Sequence, residues 1–400
     1  MKNNNQQILE GSQAIALTIK AIRPDVVSAY PITPQTHIVE GLAKFRADGV
    51  ASYEFVRAES ELAAASIVVG ASAAGSRVYT ASSSQGLLLM SEVIYNIAGM
   101  RLPVVLTCAN RALSAPISIW NDQQDVHAVS NAGWIMLFSE THQEAVNQHI
   151  MAYKIAEQLR LPVMVNVDGF VLTHTYEPVE ILNEKQIAKY LPAYKPKKGD
   201  FLDPDNPVTF GALAGPAVYM EIREGLHDDL VNSLQTIKEE YRKFNKAFPD
   251  LSTVSNKKYA VIDDGLVEYY GPKKPKIILV AMGSVAGTLK DVADEVNIQK
   301  FNFNNVGVLK IKTYRPFPSD AVVDIIKKAK CVAVIDKAIT LGNIGPLAID
   351  VKAAAQGRYN NKIQSFVVGL GGRDITKGMI KKIIKEAAKN NNEVKFVGKA

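Results

Sequence analysis

Two cysteines in 400 residues, Cys108 and Cys331, are too few for a disulfide framework and for a zinc or iron–sulfur site built from this chain's own thiols. Each lies in an apolar, strand-like run and reads as a buried packing residue. No apolar run reaches the length of a membrane span, and the small-residue stretch 62–75 is too short to cross. The opening Met1-Lys2-Asn3-Asn4-Asn5-Gln6-Gln7 lacks the apolar stretch of a signal peptide, so a cytoplasmic protein is expected. No G-x-G-x-x-G follows a predicted strand, which argues against a nicotinamide dinucleotide site. The six histidines form no metal-spaced set, and no metal ligand is assigned to this chain. Nucleic acid is excluded as a partner by the want of any basic–aromatic pattern. The lysine-rich stretches 195–198 and 377–389, which carry much of the +6 net charge, read as solvated faces.

What the chain does have is regular alternation. Its length exceeds one ordinary hydrophobic core and implies more than one domain. Between residues 10 and about 175, β-rich runs at 26–29, 52–55, 77–80, 103–108, 134–138 and 162–167 alternate with helical periodicity near 11–22, 35–46, 60–74, 86–98 and 142–158. Such alternation specifies an α/β fold, a doubly wound parallel sheet with helices on both faces. Ligands bind such sheets at the carboxyl ends of the strands. A proline- and lysine-rich segment, 178 to about 216, leads to a polar helix at 227–248 and a linker through about 274. A second α/β unit begins at 277–281, turns at Gly283-Ser284, and continues with a helix and strands at 306–311 and 331–335. The Lys- and Asn-rich end is expected to fray.

Chemistry-bearing groups follow successive strands of the first unit. After the first comes Tyr30-Pro31-Ile32-Thr33-Pro34. Two prolines fix φ and push their preceding residues toward extended geometry, which puts the Thr33 hydroxyl on a stiff support. After the second, Glu61 opens an alanine-rich helix. A dry setting there would let it share a proton with a heterocycle nitrogen, whereas a plain helix-start carboxylate would answer only to the macrodipole. Glu59, the more solvent-facing of the two, fits that plainer role. Gln85-Gly86, after the third strand, either lets backbone approach a ligand or simply starts a helix. Arg111, after the fourth, would grip a carboxylate with two hydrogen bonds or pair with Asp122 or Asp125. His174 reads as a structural loop residue. Groups so far apart in sequence should converge at one edge of the sheet.

Taken together, these motifs resemble the α subunits of the 2-oxoacid:ferredoxin oxidoreductases, with the pyruvate-using enzymes nearest. The resemblance runs through the turn at 30–34, Glu59-Ser60-Glu61, Ser84 to Met90, Asn110-Arg111 to Asn121-Asp122, Asp168-Gly169 to His174-Thr175, Tyr314-Arg315-Pro316-Phe317-Pro318 and Gly371-Gly372-Arg373-Asp374. It implies a pyrimidine-binding domain over 1–255, including a C-terminal extension and linker, and a domain like the C-terminal domain of transketolases over 256–400. It also implies half of a thiamine diphosphate site, with Pro31, Glu61 and Gln85 against the cofactor. Glu61 would hydrogen-bond ring nitrogen N1′ and favour the tautomer able to take the C2 proton. Thr33 and Arg111 would bind the substrate carboxylate or its neighbouring oxygen. The implied reaction is oxidative decarboxylation of pyruvate with coenzyme A to acetyl-CoA and CO2.

No Gly-Asp-Gly motif is present: Asp168-Gly169 follows Val167, and Asp48-Gly49 follows Ala47. The resemblance therefore implies that a β subunit brings the diphosphate site and its Mg²⁺. A ferredoxin-like δ subunit would bring the [4Fe-4S] clusters, a γ subunit would complete a heterotetramer, and ferredoxin or flavodoxin would accept the electrons. This chain alone should be inactive. Thr33 stands where an oxalate-using relative is expected to carry arginine, which disfavours oxalate. Two alternatives stand beside pyruvate: a branched-chain enzyme acting on 2-oxoisovalerate, and a non-catalytic assembly subunit.

Overall fold

The alternation between residues 10 and 175 folds into six parallel strands of a seven-stranded sheet. The structure, a computed structural model, describes residues 6–252, 259, 261–298, 305–387 and 394–399. β1 (Gln7–Glu10) and β8 (Tyr176–Val179) pair antiparallel at the side, and the main sheet takes β2 (Val26–Ala29), β3 (Glu54–Arg57), β4 (Val78–Ser82), β5 (Val105–Asn110), β6 (Ile135–Phe138) and β7 (Val163–Asp168). Their order is β6-β7-β5-β4-β2-β3, all parallel. Every residue of β4, β5 and β7 is buried, as central parallel strands covered on both faces require. At the edge, β3 exposes Glu54 and Arg57, charges that discourage pairing with another chain.

Seven helices cover this sheet: α1 (Gly11–Ile22), α2 (Thr36–Ala47), α3 (Glu61–Ala73), α4 (Ser84–Leu89), α5 (Ser91–Gly99), α6 (Gln124–Ala128) and α7 (His142–Leu159). α3 starts where the Ser60 hydroxyl accepts the Ala63 N–H at 3.1 Å, a cap worth about 1 kcal/mol. The expected helix at 86–98 is two, broken at Met90, and the strand expected at 52–55 lies two residues later, in register with β2. α8 (Glu184–Tyr190) opens with a capping box on Asn183, and the long α9 (Tyr219–Ala247) begins eight residues before the expected 227, because exposed Tyr219, Met220 and Ile222 obscure its periodicity.

The second unit orders its strands β16-β15-β14-β11-β12-β10-β9, from β9 (Ile262–Asp263), β10 (Val267–Tyr270), β11 (Ile277–Ala281), β12 (Val306–Ile311), β14 (Cys331–Asp336), β15 (Lys362–Val367) and β16 (Lys395–Phe396). The linker expected through 274 thus carries two antiparallel strands in its described part. The end expected to fray carries β16, paired with β15, while residues 388–393 lie outside the described residues. α10 (Val285–Ile298), α11 (Ser319–Ile326), α12 (Pro346–Ala355) and α13 (Lys377–Ala387) pack on this sheet.

The two units interlock. β13 (Thr313–Arg315) leaves the second sheet and pairs antiparallel with β6, becoming the seventh strand of the first. At this joint Lys310, 2% exposed, contacts Glu140 (2.6 Å), Glu268 (2.7 Å) and Glu144 (3.2 Å). Lys312 contacts Asp263 at 2.8 Å and Glu144 at 3.2 Å. Buried charges survive only when paired in this way.

Candidate active site

Parallel strands deliver their following loops to one edge, and there the expected groups meet. Buried Gln35 ties the turn at 30–34 to the end of β4, its amide donating to the Tyr30 carbonyl (3.1 Å) and the Ala81 carbonyl (2.7 Å). Pro34 packs on Gly169, where an added Cβ would stand 2.6 Å from Pro34 Cγ and 2.5 Å from the Asn110 carbonyl. Pro31 and Thr33 are left exposed on this braced turn. Proline stiffness alone suggested the rigidity. Gln35 supplies much of it, and its only trace in the sequence is a place directly after Pro34.

Arg111 reaches across to the same turn. Its Nη1 donates to the Thr33 carbonyl and its Nε to the Ser118 carbonyl, each at 3.0 Å. Nη2 has no hydrogen-bond partner among the described residues. Burial lowers the guanidinium's pKa, with Asp125 partly opposing. The guanidinium is paired with neither Asp122 nor Asp125. Asp125 instead accepts main-chain N–H groups from Arg111 (2.9 Å) and Ser84 (3.0 Å), and the Asn110 amide at 3.2 Å. One buried carboxylate thereby joins the loops after β4 and β5. Burial raises it to about 6 despite these donors.

Glu61 is the first residue of α3 and 7% exposed. Its carboxylate takes no hydrogen bond from another described residue, and its oxygens keep some access to solvent. Gly86 of α4 lies directly against it: a Cβ there would meet Glu61 Oε1 at 2.6 Å and Ser82 Oγ at 2.7 Å. The Ser82 and Ser83 hydroxyls are fully buried without partners. Half-buried Gln85 accepts the Ser84 hydroxyl at 2.6 Å through its side-chain oxygen. Glu59 is exposed, as its plainer role requires. Both cysteines are free and buried.

Asp168, at the end of β7, is consumed structurally. Lys337 (3.0 Å), the Ser284 N–H (2.8 Å) and hydroxyl (2.5 Å), and Gln123 (3.1 Å) all reach it, binding the second unit to the site's floor. Burial alone would raise its pKa, but Lys337 and Ser284 outweigh that and hold it low. Gly283, at φ 72°, permits the approach, since a Cβ there would fall 2.8 Å from Asp168 Oδ2. A separate cavity of about 790 Å³ lies between α9 and Arg315-Pro316-Phe317, and none of Thr33, Glu61 or Arg111 lines it.

Residues 18–243 match the family described as pyruvate flavodoxin/ferredoxin oxidoreductase, thiamine diphosphate-binding. The chain belongs to this family. Residues 275–380 match core domain II of pyruvate:ferredoxin oxidoreductase. Pyruvate synthase subunit PorA of Methanocaldococcus jannaschii is 44% identical over 97% of this chain and 96% of its own length. The same subunit of Methanosarcina barkeri is 43% identical over 96% and 92%. Ketoisovalerate oxidoreductase subunit VorA of Pyrococcus abyssi is 37% identical over 96% and 94%. Among solved structures, the 2-oxoglutarate:ferredoxin oxidoreductase of Magnetococcus marinus superimposes with a TM-score of 0.70 at 19% identity, over 97% of this chain and 66% of that one. A split-gene transketolase follows at a TM-score of 0.52, 10% identity, and 94% and 96% coverage. These two show the fold, an α/β architecture shared with the transketolase over nearly the whole chain. Among the described residues no helix is long and apolar enough to cross a membrane.

Proposed function

We propose that this chain is the α-type subunit of a pyruvate:ferredoxin oxidoreductase and supplies the pyrimidine half of its thiamine diphosphate site. The observation that carries this is the Glu61 carboxylate, unpaired by any described residue and packed so closely on Gly86 that any side chain there would displace it. The orphan Ser82 hydroxyl at the same contact would suit a polar heterocycle. Thiamine diphosphate, when bound, supplies the nucleophilic carbon and the electron sink that decarboxylation needs. Glu61 would hold the proton shared with the pyrimidine nitrogen, and Pro31 and Gln85 would be the further residues of this chain toward the cofactor. Arg111, oriented by two carbonyls, would present its free Nη2 to the substrate carboxylate, with the hydroxyl of Thr33, whose main chain it contacts, as a second donor.

The rest of the reaction belongs to other chains. Asp168 is saturated by Lys337, Ser284 and Gln123, which leaves it unsuited to a diphosphate-bound Mg²⁺. A β subunit brings that ion, a ferredoxin-like δ subunit the [4Fe-4S] clusters, and a γ subunit completes the assembly. Coenzyme A takes the acyl group, and electrons leave to ferredoxin or flavodoxin. Residues 1–255 form the pyrimidine-binding part and 256–400 the assembly part. Relatives named for pyruvate match at 40–44% identity against 37% for the ketoisovalerate subunit, which favours pyruvate.

The test is viologen reduction by the complex purified anaerobically through this chain, supplied with thiamine diphosphate, Mg²⁺ and coenzyme A. Pyruvate-dependent reduction that requires coenzyme A is expected. Preference for 2-oxoisovalerate overturns the substrate, and no reduction with either acid by a complex with intact clusters leaves a non-catalytic assembly subunit.

A further inference from the structure

Behind the braced turn, three residues from distant segments meet. Glu10 ends β1, His37 is the second residue of α2, and His174 lies in the loop after β7. His37 Nδ1 is 2.6 Å from Glu10 Oε1, and the two imidazole rings are 4.6 Å apart at their centroids. One donor atom from each of the three residues falls within 4.8 Å of the others.

We propose that Glu10, His37 and His174 bind a zinc-type divalent cation that staples the turn at 30–34 to the loop after β7. Two imidazoles and a carboxylate are a borderline-soft donor set of the kind zinc takes, with a fourth position left for water. Tetrahedral ligands about 2.0–2.1 Å from zinc stand about 3.3 Å from one another. The trio brackets that spacing, and His37, 47% exposed at its side chain, has freedom to adjust and an open side for water.

The ring of His174 is held as metal-bound imidazoles are held. The Thr173 hydroxyl is 2.7 Å from its Nδ1. Thr173 is itself fixed, its hydroxyl accepting the Phe170 N–H at 2.8 Å and its carbonyl accepting the Ser12 hydroxyl at 2.8 Å. Phe170 packs on the other side of His174, with centroids 4.7 Å apart. A cation here would couple the two loops that already touch where Pro34 meets Gly169, and so stiffen the edge that carries Thr33. No chemistry on the substrate is assigned to it.

The experiment uses the untagged full chain, stripped with chelator and titrated with ZnCl2 by calorimetry and with Co²⁺ by visible absorption. One equivalent of zinc is expected to bind and raise Tm, with Co²⁺ giving four-coordinate bands. His174→Ala and Glu10→Gln should each weaken binding at least about tenfold, while His227→Ala, exposed on α9, leaves it unchanged. Melting of the metal-free variants reports their folding. Should His174→Ala fail to fold, Glu10→Gln and His37→Asn decide. Absence of saturable binding overturns the proposal. So does binding that survives His174→Ala, which marks a two-residue surface chelate, or binding lost equally in His227→Ala.

Discussion

The Arg111 guanidinium donates to the Thr33 main-chain oxygen at 3.0 Å, so the two residues proposed to meet the substrate carboxylate form one mechanical unit. The turn positions the arginine as much as the arginine braces the turn. Lysine cannot bridge the Thr33 and Ser118 carbonyls and still present a free edge. Arg111→Lys is expected to lower kcat/KM for pyruvate about 100-fold, mostly through KM. Thr33→Ala keeps the main-chain bond and should cost only about tenfold. Steady-state viologen kinetics on the assembled complex separate the two.

Gly86 and Glu61 give a second pair of variants with distinct expectations. Glu61→Ala should leave assembly intact, by gel filtration, while turnover falls about 10²–10⁴-fold. Gly86→Ala suits a helix, yet its Cβ would press within 2.6 Å of Glu61 Oε1. The carboxylate must move, and an intermediate loss with a raised requirement for thiamine diphosphate is expected. Wild-type turnover in Gly86→Ala would show that the carboxylate need not stay where it is.

Asp125 sets a pH dependence. Raised from 3.8 to about 6 by burial, it holds a proton in the folded chain that the unfolded chain has lost between those values. Its contribution to stability therefore falls as pH rises through this window, the reverse of a salt-bridged carboxylate. For activity the sign is opposite. Below about pH 6 the protonated acid loses acceptor capacity toward the Ser84 and Arg111 N–H groups and the arginine loop loosens. The kcat/KM profile should show an acid limb near pH 6 that disappears in Asp125→Asn, whose activity is lower throughout.

Lys310 is the test of the joint between the two units. Lys310→Met leaves Glu140, Glu144 and Glu268 short of a partner and should destabilise by about 3–5 kcal/mol, read from chemical denaturation. Glu268, pulled down to about 2 by Lys310 and Lys290 against its burial, contributes stability above the unfolded value of 4.5 that is lost as pH falls toward 2. The variant should lose part of this acid dependence. An unchanged denaturation midpoint would mean the network is dispensable.

Much of the site was legible because its parts follow strands. Period-2 and period-3.6 patterns put Thr33, Glu61, Gln85 and Arg111 each just beyond a strand, and parallel topology does the rest. Boundaries at β2, β11 and β12 agree with the pattern to the residue, since these strands are bracketed by turn-forming or charged residues. Where apolar residues face outward, as at the start of α9, the pattern misleads. Residues that matter only through one contact left no trace. Gln35, Gly86 as the neighbour of Glu61, and Asp125 as acceptor for two loops are ordinary letters until the loops converge.

By itself the sequence determined the alternating α/β architecture, the motif set of the family and the want of cluster cysteines, because these depend on local periodicity and residue chemistry. Only the tertiary structure decided that Arg111 is held by carbonyls rather than by Asp122 or Asp125, that Asp168 anchors the second unit, and that β13 crosses into the first sheet. It alone brought Glu10, His37 and His174 together. Such choices rest on distances between residues far apart along the chain. A buried charge takes whichever partner the packing brings within about 3 Å, and sequence spacing carries no record of that.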